Sequence, residues 1–300
     1  IRPNQPECPS HGHYITEILE HAGLPFTQME PADLAQLSAE LTLLITVGDA
    51  PLEENAAAAL QQWVQDGGSW LSLGSVCGLG EVHGVQEVPS PGYGGREFVY
   101  PQSTLGEGYL QPVEKHPMLA HLNINLHYYN GVVVKVLSSA AKVLATTLNA
   151  HGHEGKIPAL VESTFGNGRT LFLAPDAVGA VVRISQGTAV ITDGIPAPDG
   201  SAPTADGVLK CDDGLALDWH FDRQEVPGVP GLKGFFEPVA DQWREIILRG
   251  IFYLAAEVGV ALPMLWLYPR NLPALAHLSH DTDGNDAALG ARLLEEVNKA

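Results

Sequence analysis

The sequence predicts an α/β fold: a doubly wound, mostly parallel sheet carrying long irregular insertions. Three observations predict it. Leu41 to Val47 (LTLLITV) is a compact apolar run, the pattern of a strand covered on both faces. Ala56, Ala59, Leu60, Trp63 and Val64 then recur at helical spacing. Ser69 to Leu73 (SWLSL) supplies another strand directly after Asp66-Gly67-Gly68. Strand, helix and strand, with glycine-rich turns, form the unit of a wound parallel sheet.

The remaining elements follow in chain order. Tyr14, Ile15, Ile18, Leu19 and Ala22 mark a helix over about 12–22, closed by Gly23. Leu24 to Met29 reads as a short strand. Gly48, Asp49 and Pro51 turn the chain, with Asp49 as the helix cap and Glu53 and Glu54 at the positive end of the helix dipole. Residues 80–130 are irregular and rich in Gly, Pro, Tyr and His. Regular structure returns at Val132–Val136 and Lys142–Thr147. Ala159–Thr164 and Arg169–Ala174 flank Gly166-Asn167-Gly168 and predict a β-hairpin. Residues 185–235 form a second irregular stretch, long enough to carry function. Val239, Trp243, Ile246, Ile247, Ile251 and Leu254 mark a strong amphipathic helix.

The chain has 35 acidic and 16 basic residues, a formal net charge of −19. That surface repels nucleic-acid phosphates and anionic lipid, and leaves a neutral carbohydrate, a small molecule or a cation as ligand. The longest apolar candidate, Ile246 to Leu262, is interrupted by Arg249 and Glu257, so no membrane span is expected. Cys8, Cys77 and Cys211 give neither a disulfide framework nor metal-finger spacing, which fits a cytosolic setting. The first residue is Ile1, and 289–300 reads as a helix, so a longer parent polypeptide is expected.

Two constellations carry chemistry. The first is GGSWLSLGSVCGLG, Gly67 to Gly80, where a strand enters a tight turn holding Cys77. This segment, with His116-Pro117, GNGRTLFLAP (Gly166 to Pro175) and the last long helix, resembles the class I glutamine amidotransferase-like superfamily. The trehalose-utilisation and β-galactosidase-trimerisation types are the nearest pattern, over roughly residues 10–258. The resemblance implies a flavodoxin-like sheet, and Cys77 at the place of the nucleophile with a helix N-terminus behind it. Gly74 stands three residues before Cys77 rather than two, and no His-x-Glu occurs near 220–240. The resemblance then implies a member that binds ligand or organises assembly without catalysis and without a cofactor.

The second constellation is HLSHDTDGND, residues 277–286. It resembles the opening motif of polysaccharide deacetylases, a strand ending in paired aspartates before Gly. The resemblance implies Asp281 as general base and Asp283 as ligand of a divalent metal, zinc above all. Two further histidines complete that metal set, and 284–300 does not contain them. The expected organisation is an amidotransferase-like domain over 1–258, a linker over 259–273, and the start of a deacetylase-like domain over 274–300.

Paired histidines at 11 and 13, and at 151 and 153, read as solvated loops. Asp212, Asp213, Asp218, His220, Asp222 and Arg223 crowd one irregular stretch. Carboxylates accept sugar hydroxyls and aromatic faces stack on sugars, so Trp219, His220 and Asp222 are the candidate ligand-binding residues. The expected function is a non-catalytic accessory domain of a carbohydrate-active protein, beside a deacetylase module. A hydrolase or amidotransferase using Cys77, and a structural homo-oligomerisation domain, are the alternatives.

Overall fold

The computed structural model describes residues 11–38, 40–48, 52–88, 106–187, 189–190, 214–219, 221–263, 272 and 286–299. The chain separates into two compact units, Ile1–Met264 and Leu265–Ala300.

The first unit opens with α1 (Tyr14–His21), β1 (Leu43–Val47), α2 (Glu54–Gln65) and β2 (Ser69–Leu73). All five β2 residues are buried, as a central strand demands. Then come β3 (Val85–Glu87), β4 (Gly108–Pro112), β5 (Leu126–Tyr128) and β6 (Val134–Val136). β7 (Lys142–Asn149), β8 (Glu154–Phe165), β9 (Gly168–Leu173) and α3 (Ala177–Gln186) follow. The unit closes with β10 (Gln224–Glu225), β11 (Lys233–Gly234) and α4 (Val239–Glu257).

Among the described residues the main sheet has seven strands in the order β1-β2-β9-β8-β7-β4-β5. β1, β2 and β9 run parallel and form the wound core. β8, β7, β4 and β5 extend it antiparallel. The architecture is α/β and flavodoxin-like, and its insertions make the sheet mixed. β3 and β6 form a separate antiparallel ribbon rather than joining the main sheet. No strand forms over 24–29, where Phe26 and Met29 are exposed and offer no buried face.

Side-chain alternation sorts the two faces of the sheet. Leu71, Leu73, Leu171, Leu173, Leu160, Leu144, Leu110, Leu126 and Tyr128 point into one core, shared with α1, α3 and α4. Trp70 and Leu44 point the other way, onto Leu60, Trp63 and Val64 of α2. Phe172 and Val161 meet Val85 and Val134 of the small ribbon on that second face. Polar groups pin α4 to the hairpin: the Tyr253 hydroxyl donates to Glu162 at 2.5 Å, and Arg169 bridges Glu162 at 2.6 Å and Glu257 at 2.8 Å.

The hairpin turn is held against the end of α2. A Cβ on Gly168 would collide with the carbonyl oxygens of Val64 and Gly68. Gly168→Ala is therefore expected to cost about 1–3 kcal/mol, through overpacking that the backbone must relieve by moving. Thermal melting of the variant checks this, and an unchanged melting temperature contradicts it.

In the second unit the described helix is α5 (Ala287–Val297), whose Asp286 side chain caps it by accepting from the Ala288 N–H at 2.8 Å. Residues 274–285 of the expected deacetylase-like start lie outside the described residues, as does Asp49.

Candidate functional site

β4 and β5 pair antiparallel with Tyr109 opposite His127. Both side chains alternate away from the Leu110, Leu126 and Tyr128 core, so they project from the second face of the sheet. At this end neither α2 nor the β3–β6 ribbon supplies the partner. The segment around 214–223 does, bringing Asp222 to His127 across 95 residues of sequence.

His127 is 1% exposed and sits between two carboxylates. Its Nδ1 lies 2.7 Å from Asp222 Oδ2 and its Nε2 lies 2.8 Å from Glu107 Oε1. Burial opposes charging the ring, yet the hydrogen bonds to Asp222 and Glu107, with their charges, push the imidazole up to about 9. At neutral pH it is an imidazolium donating from both nitrogens. Glu107, whose side chain is about half exposed, is in turn held below the usual carboxylate range, first by the hydrogen bond to His127.

Aromatic rings flank the imidazolium. Tyr109 and Tyr129 each place their ring centroid 4.7 Å from that of His127. Both phenols are pushed up in pKa, first by burial and then by the surrounding carboxylates, so they remain neutral donors. The Tyr129 hydroxyl donates to the Ala216 carbonyl, which ties the covering segment down. Arg183 of α3 lies over the Tyr129 ring at 4.6 Å. Asp222 Oδ2 also accepts from the Asp218 N–H at 2.6 Å, and Asp218 Oδ1 accepts from the Phe221 N–H at 2.8 Å. These bonds fix a tight turn that presents Phe221 to solvent, 49% exposed and 6.0 Å from Tyr109.

The sequence-predicted residues fall as follows. Asp222 is at the centre of the cluster and 3% exposed. Arg223 is also buried, so this stretch is not a solvated loop at Asp222 and Arg223. Trp219 belongs to the same turn, but Arg223 covers its ring at 4.2 Å and Phe235 meets it edge-on. The exposed aromatic of the turn is Phe221. His220, Asp281 and Asp283 lie outside the described residues.

Cys77 sits apart from this cluster, in the turn after β2. It has φ of 49°, a left-handed conformation unusual for a residue with a Cβ, followed by Gly78 at 77°. Its Sγ faces the Gly48 carbonyl at 3.8 Å, and the residue is 6% exposed. Residues 77–84 form turns, so no helix begins behind the thiol. His83, in those turns, is fully buried between Trp70 and Phe172, and burial pulls its imidazole down to about 3.

Sequence reasoning missed Glu107, Tyr109, His127 and Tyr129, all within the stretch read as irregular. The available signal was the pair of short alternations Tyr109-Leu110 and Leu126-His127-Tyr128. Among the described residues, no group of three or more His, Cys, Asp or Glu side chains is placed to hold a metal, and no helix is long and apolar enough to cross a membrane.

No family model matches the sequence, and no curated protein does. Solved structures show partial likeness. A cytoplasmic protein of Salmonella typhimurium LT2 is 12% identical over 55% of this chain and 76% of its own, with a TM-score of 0.42. A ThuA-like protein of Parabacteroides merdae ATCC 43184 is 14% identical over 54% and 72%, with a TM-score of 0.36. A β-galactosidase of Bacillus circulans sp. alkalophilus is 18% identical over 46% and 21%, with a TM-score of 0.34.

Proposed function

We propose that residues 1–258 form a non-catalytic, carbohydrate-binding accessory domain, and that the ligand docks at the His127 cluster. One observation carries this reading: both nitrogens of a buried imidazolium are committed to carboxylates, inside a wall of aromatic rings. A general base needs a free ring nitrogen near neutral pH, and His127 has none. What remains suits binding. Glu107 offers carboxylate oxygens to sugar hydroxyls, and Phe221 offers an exposed face to the apolar side of a sugar ring. The buried Cys77 supports the alternative of thiol chemistry less well, because its sulfur faces a backbone carbonyl.

The resemblance at 277–286 extends the proposal. The domain would serve a metal-dependent polysaccharide deacetylase module, with Asp281 as base and Asp283 as one ligand of a divalent metal. That metal would supply an activated water, and Asp281 would take its proton. Homo-oligomerisation remains the alternative to glycan binding.

Affinity electrophoresis through gels containing neutral polysaccharides tests the binding reading. The parent chain is expected to be retarded, and Phe221→Ala to lose roughly tenfold in affinity through the lost stacking face. The melting temperature should barely change, since the ring is half exposed. Equal migration in every gel, with or without polysaccharide, sinks the proposal.

A further inference from the structure

Among the described residues, two polar atoms beside His127 are buried without a hydrogen-bond partner. They are the Tyr109 hydroxyl and Asp222 Oδ1, on residues that are each 3% exposed. They do not bond each other. An unmade bond on a buried polar group is costly, so such atoms call for explanation. Their chemistry is complementary: a neutral phenol donates, and a carboxylate oxygen accepts.

We infer that Tyr109 Oη and Asp222 Oδ1 form a subsite for one neutral hydroxyl group of the bound carbohydrate. A hydroxyl carries both functions in one small group, accepting from Tyr109 and donating to Asp222. An ammonium satisfies Asp222 and leaves the phenol unanswered. A ligand carboxylate or phosphate accepts from Tyr109 but meets the charges of Asp222 and Glu107 close by. The net charge of −19 opposes anionic ligands further. Phe221 is the cover: its ring lies near Tyr109 on the solvent side, against Gly152, on a turn whose backbone is tied to Asp218.

The assignment rests on the carbohydrate-binding reading, and the experiment separates the two. Calorimetry on the 300-residue chain uses methyl glycosides of glucose, galactose, mannose and N-acetylglucosamine, with their monodeoxy series, glucosamine and glucuronate. At least one neutral glycoside is expected to bind and glucuronate to fail. For the binder, one monodeoxy analogue should lose about tenfold, the worth of a hydrogen bond to a charged group. Tyr109→Phe, which keeps the ring, should lose a smaller factor, roughly threefold, for the parent sugar, because it removes the neutral bond alone, and nothing for that analogue. The deoxy series alone carries the test if the variant does not fold. A binder indifferent to both Tyr109→Phe and every deoxygenation overturns the subsite, leaves a buried water as its occupant, and leaves glycan binding intact. Preference for glucosamine with Tyr109→Phe harmless also overturns it. No binding by any glycoside overturns the subsite and the function together.

Discussion

Replacing Asp222 by alanine is expected to lower the melting temperature by roughly 10 °C. The substitution leaves His127 buried with one carboxylate instead of two and deprives the Asp218 N–H of its acceptor. Removing one partner of a buried ion pair costs about 3–5 kcal/mol, because the other charge stays behind uncompensated. A domain of this size loses a few degrees per kcal/mol. Asp222→Asn keeps an acceptor and should lose less. A second readout is the pH dependence. His127 is raised from 6.5 to about 9 on folding, so its stabilisation is fully present below pH 6.5 and is lost as pH rises to about 9. That alkaline loss, about 3 kcal/mol in all by linkage, should shrink in Asp222→Ala. A variant melting within about 2 °C of the parent rules out a structural role for the pair.

The second large effect has the opposite sign. Burial depresses His83 from 6.5 to about 3, and neither ring nitrogen has a hydrogen-bond partner among the described residues. The unfolded chain therefore binds a proton that the folded chain refuses between those values. Stability from this group is complete above pH 6.5 and falls by about 1 kcal/mol per pH unit as acid is added, until about pH 3. Denaturant midpoints between pH 4.5 and 6.5 isolate the effect, because most carboxylates are still ionised there. His83→Leu should reduce the acid slope by about one proton while keeping the apolar contacts to Trp70 and Phe172. His116 and His121, also lowered by burial, keep some slope in place. An unchanged slope in His83→Leu refutes the assignment. The combined contribution of these two histidines is greatest near pH 6.5.

What the sequence revealed and what it hid divide along one physical line. Ser69–Leu73 is found as expected because a strand covered on both faces writes its burial into consecutive residues. The hairpin around Gly166-Asn167 is local, so its turn announces its pairing. β3, β4 and β5 are three to five residues long, and their partners lie elsewhere in the chain. Nothing within them records that pairing. α3 was missed for a related reason: residues 177–182 are buried all round, which erases the helical stripe. Of the site, Asp222 and Trp219 were legible as polar and aromatic residues in a long loop. His127 was not, because its meaning comes from carboxylates 95 and 20 residues away.

The span from His127 to Asp222 has a kinetic consequence. β4 and β5 leave the ribosome carrying an imidazole and a phenol whose cover has yet to be made. At about 5–20 residues per second, the turn bearing Asp222 emerges roughly 5–20 s later. Closing so long a loop is entropically slow, so this corner belongs to the high-contact-order part of the fold. The wound core of β1, α2 and β2 can nucleate early from neighbouring residues, whereas the His127 corner is finished later, when the turn bearing Asp222 folds back over it.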